Sequence, residues 1–239
     1  MANFLHAIDA VLFDIGSTLI MGASISPNKE LVRHFGLTAD LAAKVSRLIM
    51  CTDFQQAADV CDLLRHCGIQ VSQDDSDFVA GLWREQQAGA APIPEAYASV
   101  RFFADAGKTV GLISDIWPPY YGAFATVCPE IVKLAEIKHL SFQQGVKKPD
   151  ANFFLSAVRA LKCDSERVLM VGDTYDNDIA PAIRLGMKTA WILSRADREV
   201  PALAGVIQGR LAKPDLTLAS IGELQSAVTE EQFIAYQNT

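Results

Sequence analysis

The chain lacks any excess of positive charge. Its 21 Lys and Arg are outnumbered by 28 Asp and Glu, for a formal net charge of −7 and a pI near 5.1. Nucleic acids and anionic membrane surfaces both call for a basic face, so neither is expected as a partner. A local basic pocket for a small anion stays compatible with that balance. Long apolar runs are missing too. No segment is long enough to span a bilayer, and Asp9 interrupts the early apolar run where a signal segment would need continuity. The five cysteines (Cys51, Cys61, Cys67, Cys128 and Cys163) are an odd number without a C-x-x-C spacing. That argues for free thiols in a reducing compartment, and a cytoplasmic protein is the expectation. Repeats and low-complexity tracts are absent as well. What is present is core-forming material: half of the 239 residues are hydrophobic, enough for one large domain or a domain with an insert.

Short runs rich in β-branched residues read as buried parallel strands: AVLFD (10–14), TVGLIS (109–114), HLSF (139–142), RVLMVGD (167–173), KTAWIL (188–193) and, more weakly, DLTLA (215–219). Helical patterns separate most of them, as in PEAYASVRFFADAG, DANFFLSAVRALKC and NDIAPAIRLG. Strands alternating with helices predict a doubly wound α/β sheet. One stretch breaks the alternation. From about residue 22 to 92 no strand pattern occurs, and NKELVRHFG, ADLAAKVSRLIM, QQAADVCDLLRHCG and DSDFVAGLWREQQAG read as helices. The division expected is an α/β core of residues 1–20 and 93–239 with an inserted helical subdomain over 21–92. Residues 194–215 read as a loop with a short helix.

In open α/β sheets ligands bind outside the carboxyl ends of the strands. Here the first strand ends on Asp14 and the second on Ser114 and Asp115. Lys147 and Lys148 follow the third, and the fourth ends on Gly172 and Asp173, with Asp178 close behind. Each alone is a weak sign, since an acid at a strand end is usually a cap or a solvated turn residue. Four such sets at one edge of a sheet point to a site. Several carboxylates with only four histidines in the chain suit a hard cation, Mg²⁺ in particular. A hydroxyl and a lysine beside them suit an anion the cation also touches, and phosphate is the natural candidate. An aspartate there can serve as a nucleophile.

These stretches resemble the four motifs of the haloacid dehalogenase-like hydrolase superfamily. FDIGSTL matches its D-x-D-x-[TV] at Asp14 and Thr18, and GLISD matches the strand ending in Ser or Thr. GVKKPDANFF carries Lys148 on the lysine before proline, and VGDTYDNDIAPAIRLGM matches G-D-x-x-x-x-D. The resemblance covers nearly the whole chain, and the helical insert matches the family's small cap. It implies a phosphatase of small phosphorylated metabolites in which Asp14 attacks phosphorus and forms an aspartyl-phosphate. It also implies Mg²⁺ held by Asp14, the Gly16 carbonyl, Asp173 and Asp178, with Ser114 and Lys148 binding phosphoryl oxygens. Asp176 lies off the motif and reads as a loop cap.

Gly16 departs from the pattern. Most phosphatases of the family carry there a second aspartate that protonates the leaving group, and glycine has no side chain to do so. General acid–base help is worth roughly 10²–10⁴ in rate. A substitute acid could come from the cap, from Asp115 or from the substrate. Two other readings stay open: a metal-independent dehalogenase, and a catalytically impaired protein that keeps the fold to bind or regulate. Candidate residues of the cap for substrate contact are His34, Asp53, His66, Trp83 and Arg84, with Trp117 from the second motif.

The register of the third motif yields a test. Lys148 carries the screening charge in this reading and Lys147 faces solvent. Lys148→Ala is therefore expected to lose more phosphatase activity than Lys147→Ala, as measured by kcat/KM on one activated aryl phosphate.

Overall fold

The computed structural model describes residues 4–22 and 26–229. After a 3-10 turn at Phe4–Ala7, strand β1 (Ala10–Phe13) and the two-residue β2 (Ile20–Met21) lead to four helices, α1 (Pro27–His34), α2 (Ala39–Met50), α3 (Ala57–His66) and α4 (Gln73–Ala88). Strand β3 (Ala91–Pro92) closes that segment. Then follow α5 (Ala96–Asp105), β4 (Thr109–Ser114), α6 (Pro118–Val127), α7 (Pro129–Leu134), β5 (Ile137–Leu140) and α8 (Ser141–Gln144). The remainder is α9 (Ala151–Leu161), β6 (Val168–Gly172), a π-helical turn (Tyr175–Ile179), α10 (Ala180–Arg184), β7 (Lys188–Ile192), α11 (Ala196–Ile207), β8 (Leu216–Leu218) and α12 (Leu224–Thr229).

Six strands form one parallel sheet in the order β5-β4-β1-β6-β7-β8. Strand β1 lies inside it, paired on one side with β4 and on the other with β6, and all four of its residues are buried. A strand covered on both faces has no polar face to show, which is why it reads as a continuous apolar run. The two-residue period still sorts its side chains. Val11 and Phe13 pack with Phe103 and Phe124 on one face, whereas Leu12 packs with Phe153 and Phe154 on the other. The chain winds from β1 outward through β4 to β5, then crosses back to β6. The reversal opens a crevice at the carboxyl end of β1.

The helical segment has its own core of Leu31, Val45, Ile49, Val60, Leu64, Val79 and Leu82. Antiparallel pairing of β2 with β3 brings its two ends together. Trp117 plugs into it from the sheet domain, edge-on to Trp83 at 5.5 Å. The segment's helices fall where the sequence pattern puts them, because amphipathic spacing and caps agree. Ser72, for example, accepts from the Asp75 amide and begins α4.

Elsewhere the structure corrects the sequence reading. The third strand is Ile137–Leu140, two residues earlier than the HLSF pattern. Ser141 instead opens α8, where its hydroxyl donates to the Met50 and Ile116 carbonyls at 2.6 and 3.1 Å. Residues 194–215 hold a twelve-residue helix, α11, with Pro201 inside it. The stretch read as a single NDIAPAIRLG helix begins with the π turn, and the two-residue β3 lies in the span read as strand-free. Helices α6 and α7, behind Pro118 and Pro129, had no expectation at all. All five cysteines are free.

Gly111 sits where β1, β4 and β5 press together. A Cβ added there would stand 2.7 Å from Ile137 Cγ1 and 2.8 Å from Leu12 Cδ2. Gly111→Ala is expected to cost about 1–3 kcal/mol by overpacking, read as a lower denaturant midpoint.

Candidate active site

Asp14 is the first residue past β1. Its amide still donates to the Val171 carbonyl of β6 at 2.9 Å, so the sheet ladder fixes its position. Ser114, the last residue of β4, donates from Oγ to Asp14 Oδ1 at 3.0 Å. Lys148 reaches the same oxygen with Nζ at 2.7 Å and Asp178 Oδ1 at 2.5 Å. Asp173 follows β6 directly, and its Oδ2 accepts from Arg195 Nε at 2.6 Å. Asp178 returns on the π turn, where its Oδ2 accepts from the Thr174 amide at 2.9 Å. Gly172 makes room for it, since a Cβ there would stand 2.5 Å from the Asp178 carboxyl carbon. Asp14, Ser114, Lys148, Asp173 and Asp178 are all buried.

The five side chains singled out by sequence thus meet at one place. Gly16 lies beside them and lines the same cavity. Its φ is outside the left-handed region, and an added Cβ would touch nothing within 4 Å. Neither backbone geometry nor crowding requires glycine at this position. Asp176 is exposed. Lys147 does not simply face solvent as expected. It pairs with Asp115 at 3.1 Å, and the other oxygen of Asp115 accepts the Lys148 amide at 2.8 Å. With both oxygens engaged, Asp115 serves as a brace for the lysine loop.

Charge is crowded here. Burial alone would lower the Lys148 ammonium, but Asp14, Asp178 and Asp115 hold it far above its ordinary value, so it stays charged. Asp173 is pushed up by burial and by Asp14, against the pull of Arg195. Asp178 is pushed up by burial as well, against Lys148, with Asp14 and Asp173 adding to the rise. Two cationic side chains do not fully compensate three buried carboxylates. Asp14, Asp173 and Asp178 each offer one oxygen, all within 4.8 Å of one another. An all-oxygen donor set with surplus negative charge fits a hard divalent cation such as Mg²⁺.

A cavity of about 440 Å³ opens over this cluster. None of His34, Asp53, His66, Trp83 or Arg84 lines it. His34 is stacked on Phe78 and paired with Asp75 at 2.7 Å, Trp83 is core, and Asp53, His66 and Arg84 are exposed. Trp117 does line it, with its indole N–H donated to Gln86 Oε1 at 3.1 Å. The sequence reading missed Tyr120, Gln86, Arg195 and Arg198 as lining residues. Arg195 was within reach of the strand-end rule, because it lies three residues past β7. The others carry no local signal.

Residues 146–224 match the family model described as HAD-hydrolase-like. Over 48 residues the chain is 46% identical to glyceraldehyde 3-phosphate phosphatase of Pyrococcus abyssi (strain GE5 / Orsay), a match covering 20% of each protein. Over 87 residues it is 38% identical to pyrimidine 5'-nucleotidase YjjG of Escherichia coli (strain K12), covering 36% of this chain and 35% of the relative. The chain therefore spans only about a fifth to a third of the length of these curated relatives. Its fold is similar to that of a HAD phosphatase from Thermococcus onnurineus (TM-score 0.59, 18% identity, 94% and 99% of the two chains). It is equally similar to that of L-2-haloacid dehalogenase from Xanthobacter autotrophicus (TM-score 0.60, 18% identity, 92% and 98%). The architecture is that of the haloacid dehalogenase-like hydrolases, and residues 146–224 carry the family's sequence pattern.

The raised carboxyls set a pH dependence. Asp173 and Asp178 bind protons more tightly folded than unfolded. Their contribution to stability is therefore present at low pH and lost as pH rises from the ordinary carboxylate range towards neutrality. Tm is expected to fall between about pH 5 and about pH 8, and to fall less in Asp178→Asn. Added Mg²⁺ is expected to raise Tm more at the higher pH. A calorimetric scan with and without chelator checks both.

Proposed function

We propose that this chain is a Mg²⁺-dependent phosphatase that hydrolyses a small phosphorylated metabolite by way of a phosphoryl group carried on Asp14. The observation that carries the reading is the meeting of a buried Asp14 carboxylate with the Ser114 hydroxyl and the Lys148 ammonium, beside Asp173 and Asp178. Asp14 is the nucleophile. Two anions, its carboxylate and the phosphate, approach only where cations offset their repulsion. Lys148 supplies one such charge at 2.7 Å from Asp14, and Ser114 donates to a phosphoryl oxygen. Asp14, Asp173 and the Gly16 carbonyl would hold Mg²⁺, which when bound neutralises phosphoryl charge. Asp178 has both carboxylate oxygens engaged, by Lys148 and the Thr174 amide. Its role in this reading is to hold Lys148 and the turn, and its charge would add to the attraction for a cation held by Asp14 and Asp173. The sequence relatives named as a phosphatase and a nucleotidase support the same class.

Residues 21–92 act as a cap on a core made of 1–20 and 93–239. The cap contributes Met50 and Gln86 to the cavity wall, and its closure would exclude water during chemistry. The cavity suits a small ester. Nucleic acid and membrane are not proposed as partners, and no described helix is long and apolar enough to cross a membrane. A cytoplasmic location agrees with the free thiols. The fold alone serves dehalogenases as well. The acidic pair favours the phosphatase, because displacing a halide has no use for two further buried carboxylates.

Hydrolysis of an aryl phosphate is expected to need Mg²⁺ and to fall by on the order of 10⁴-fold or more in Asp14→Asn, with the fold retained. Full activity in that variant, or in excess chelator, rules out the mechanism. Phosphate binding without turnover in the wild type would favour the binding-protein reading.

A further inference from the structure

We propose that Tyr120 is the proton donor of this site, standing in for the side chain that Gly16 does not have. The proposal rests on the phosphatase reading above and adds the group that protonates the leaving oxygen.

The side chains lining the cavity leave few alternatives. Asp115 has both oxygens bonded to the lysine loop. Asp173 and Asp178 are engaged with Arg195 and Lys148. The arginines cannot be deprotonated in a protein, asparagine and glutamine have no acidic proton to give, and the serine and threonine hydroxyls are no more acidic than the alcohol they would release. Among the described residues no histidine or cysteine lines the cavity.

Tyr120 remains. It stands in the first turn of α6, six residues beyond Ser114, on the same cavity as Asp14. A Cβ built on Gly22 would stand 2.1 Å from its hydroxyl oxygen, so the phenol reaches across to the backbone just past β2 and packs there only because residue 22 is glycine. Among the described residues the hydroxyl has no hydrogen-bond partner and is left free for a ligand. The ring is half-buried. Burial, and then the Asp14 charge, push the phenol up to about 12, with Arg195 pulling the other way, so it keeps its proton at any working pH.

Such a weak acid is suited to one kind of leaving group. The oxygen released from a simple alkyl phosphate is about as basic as hydroxide, whose conjugate acid has a pKa of roughly 15–16, so transfer from the phenol is downhill. In the first step an Asp14 carboxylate oxygen bonds to phosphorus, the ester P–O bond breaks, and the Tyr120 proton passes to the departing oxygen. In the second a water oxygen bonds to phosphorus and the Asp14 O–P bond breaks. The Tyr120 phenolate takes the water's proton, which restores the enzyme and releases orthophosphate.

The test compares kcat/KM on a matched alkyl and aryl phosphate for wild type, Tyr120→Phe, Gly16→Asp and the double variant. Space and backbone at residue 16 admit the aspartate. Tyr120→Phe is expected to lower the alkyl value by on the order of 10²-fold and the aryl value by less than about threefold. Gly16→Asp in the Tyr120→Phe background is expected to restore alkyl turnover, which a purely structural role for the hydroxyl would not allow. An equal loss on both esters, no loss, or a selective loss that Gly16→Asp fails to reverse overturns the assignment and leaves the phosphatase reading intact. A wild type without Asp14-dependent hydrolysis of either ester overturns the phosphatase reading itself.

Discussion

Lys148 holds the site together. Its ammonium is buried between Asp14 and Asp178 at 2.7 and 2.5 Å, with its own amide tied to Asp115. Burying a lysine is costly unless its charge is met, and burying three carboxylates near one another is costlier still. Each burial is tolerable only because of the others. Remove the lysine, and Asp14 and Asp178 face each other without a screen. Remove the carboxylates, and the ammonium has no reason to remain inside. A cluster so interdependent adds little net stability, and its retention makes physical sense when an arriving anion and a cation complete the charge balance.

The sheet makes this cluster possible. Parallel strands all point their carboxyl ends the same way, and β1 lies between β4 and β6. Residues just beyond these three strands, Asp14, Ser114 and Asp173, are therefore neighbours although 159 positions separate the first from the last. The same logic explains why the ladder bond from the Asp14 amide to Val171 matters. A carboxylate on a free loop would have to be ordered whenever a ligand bound. Here the backbone has already been ordered by folding.

This part was legible in the sequence because the signals are local. An apolar run that stops on a carboxylate, a lysine before a proline, and two aspartates five apart each need only a few neighbouring residues. The fold was legible for the same reason wherever alternation and helical spacing agreed, as in the four helices of the inserted segment. Legibility failed where packing overrode the pattern. Ser141 reads as strand, yet its hydroxyl is recruited by the Met50 and Ile116 carbonyls and opens a helix. Residues 194–215 read as a loop with a short helix, yet α11 runs for twelve residues there, through Pro201. Tyr120 and Arg198 reach the cavity only through the way α6 and α11 sit on the core, which no short stretch encodes.

The glycines near the site show how backbone space is shared among side chains. Gly172 is occupied, in effect, by the carboxyl of Asp178, and Gly22 by the hydroxyl of Tyr120. In both places the absent Cβ lets a polar group from elsewhere come within a distance that any other residue would forbid. Gly16 is different. Among the described residues nothing fills the space where its side chain would be, and its φ needs no glycine. Steric need accounts for the first two and leaves the third unaccounted for by packing. What Gly16 leaves is open volume next to Asp14. With a carboxylate missing there, the site carries one less negative charge beside Asp14, Asp173 and Asp178. Burial, with repulsion from Asp14, already holds Asp173 and Asp178 above the ordinary carboxylate range. A fourth acid would raise the electrostatic cost of the empty site further. A neutral phenol avoids that cost, because it brings a proton to the cavity without bringing a charge.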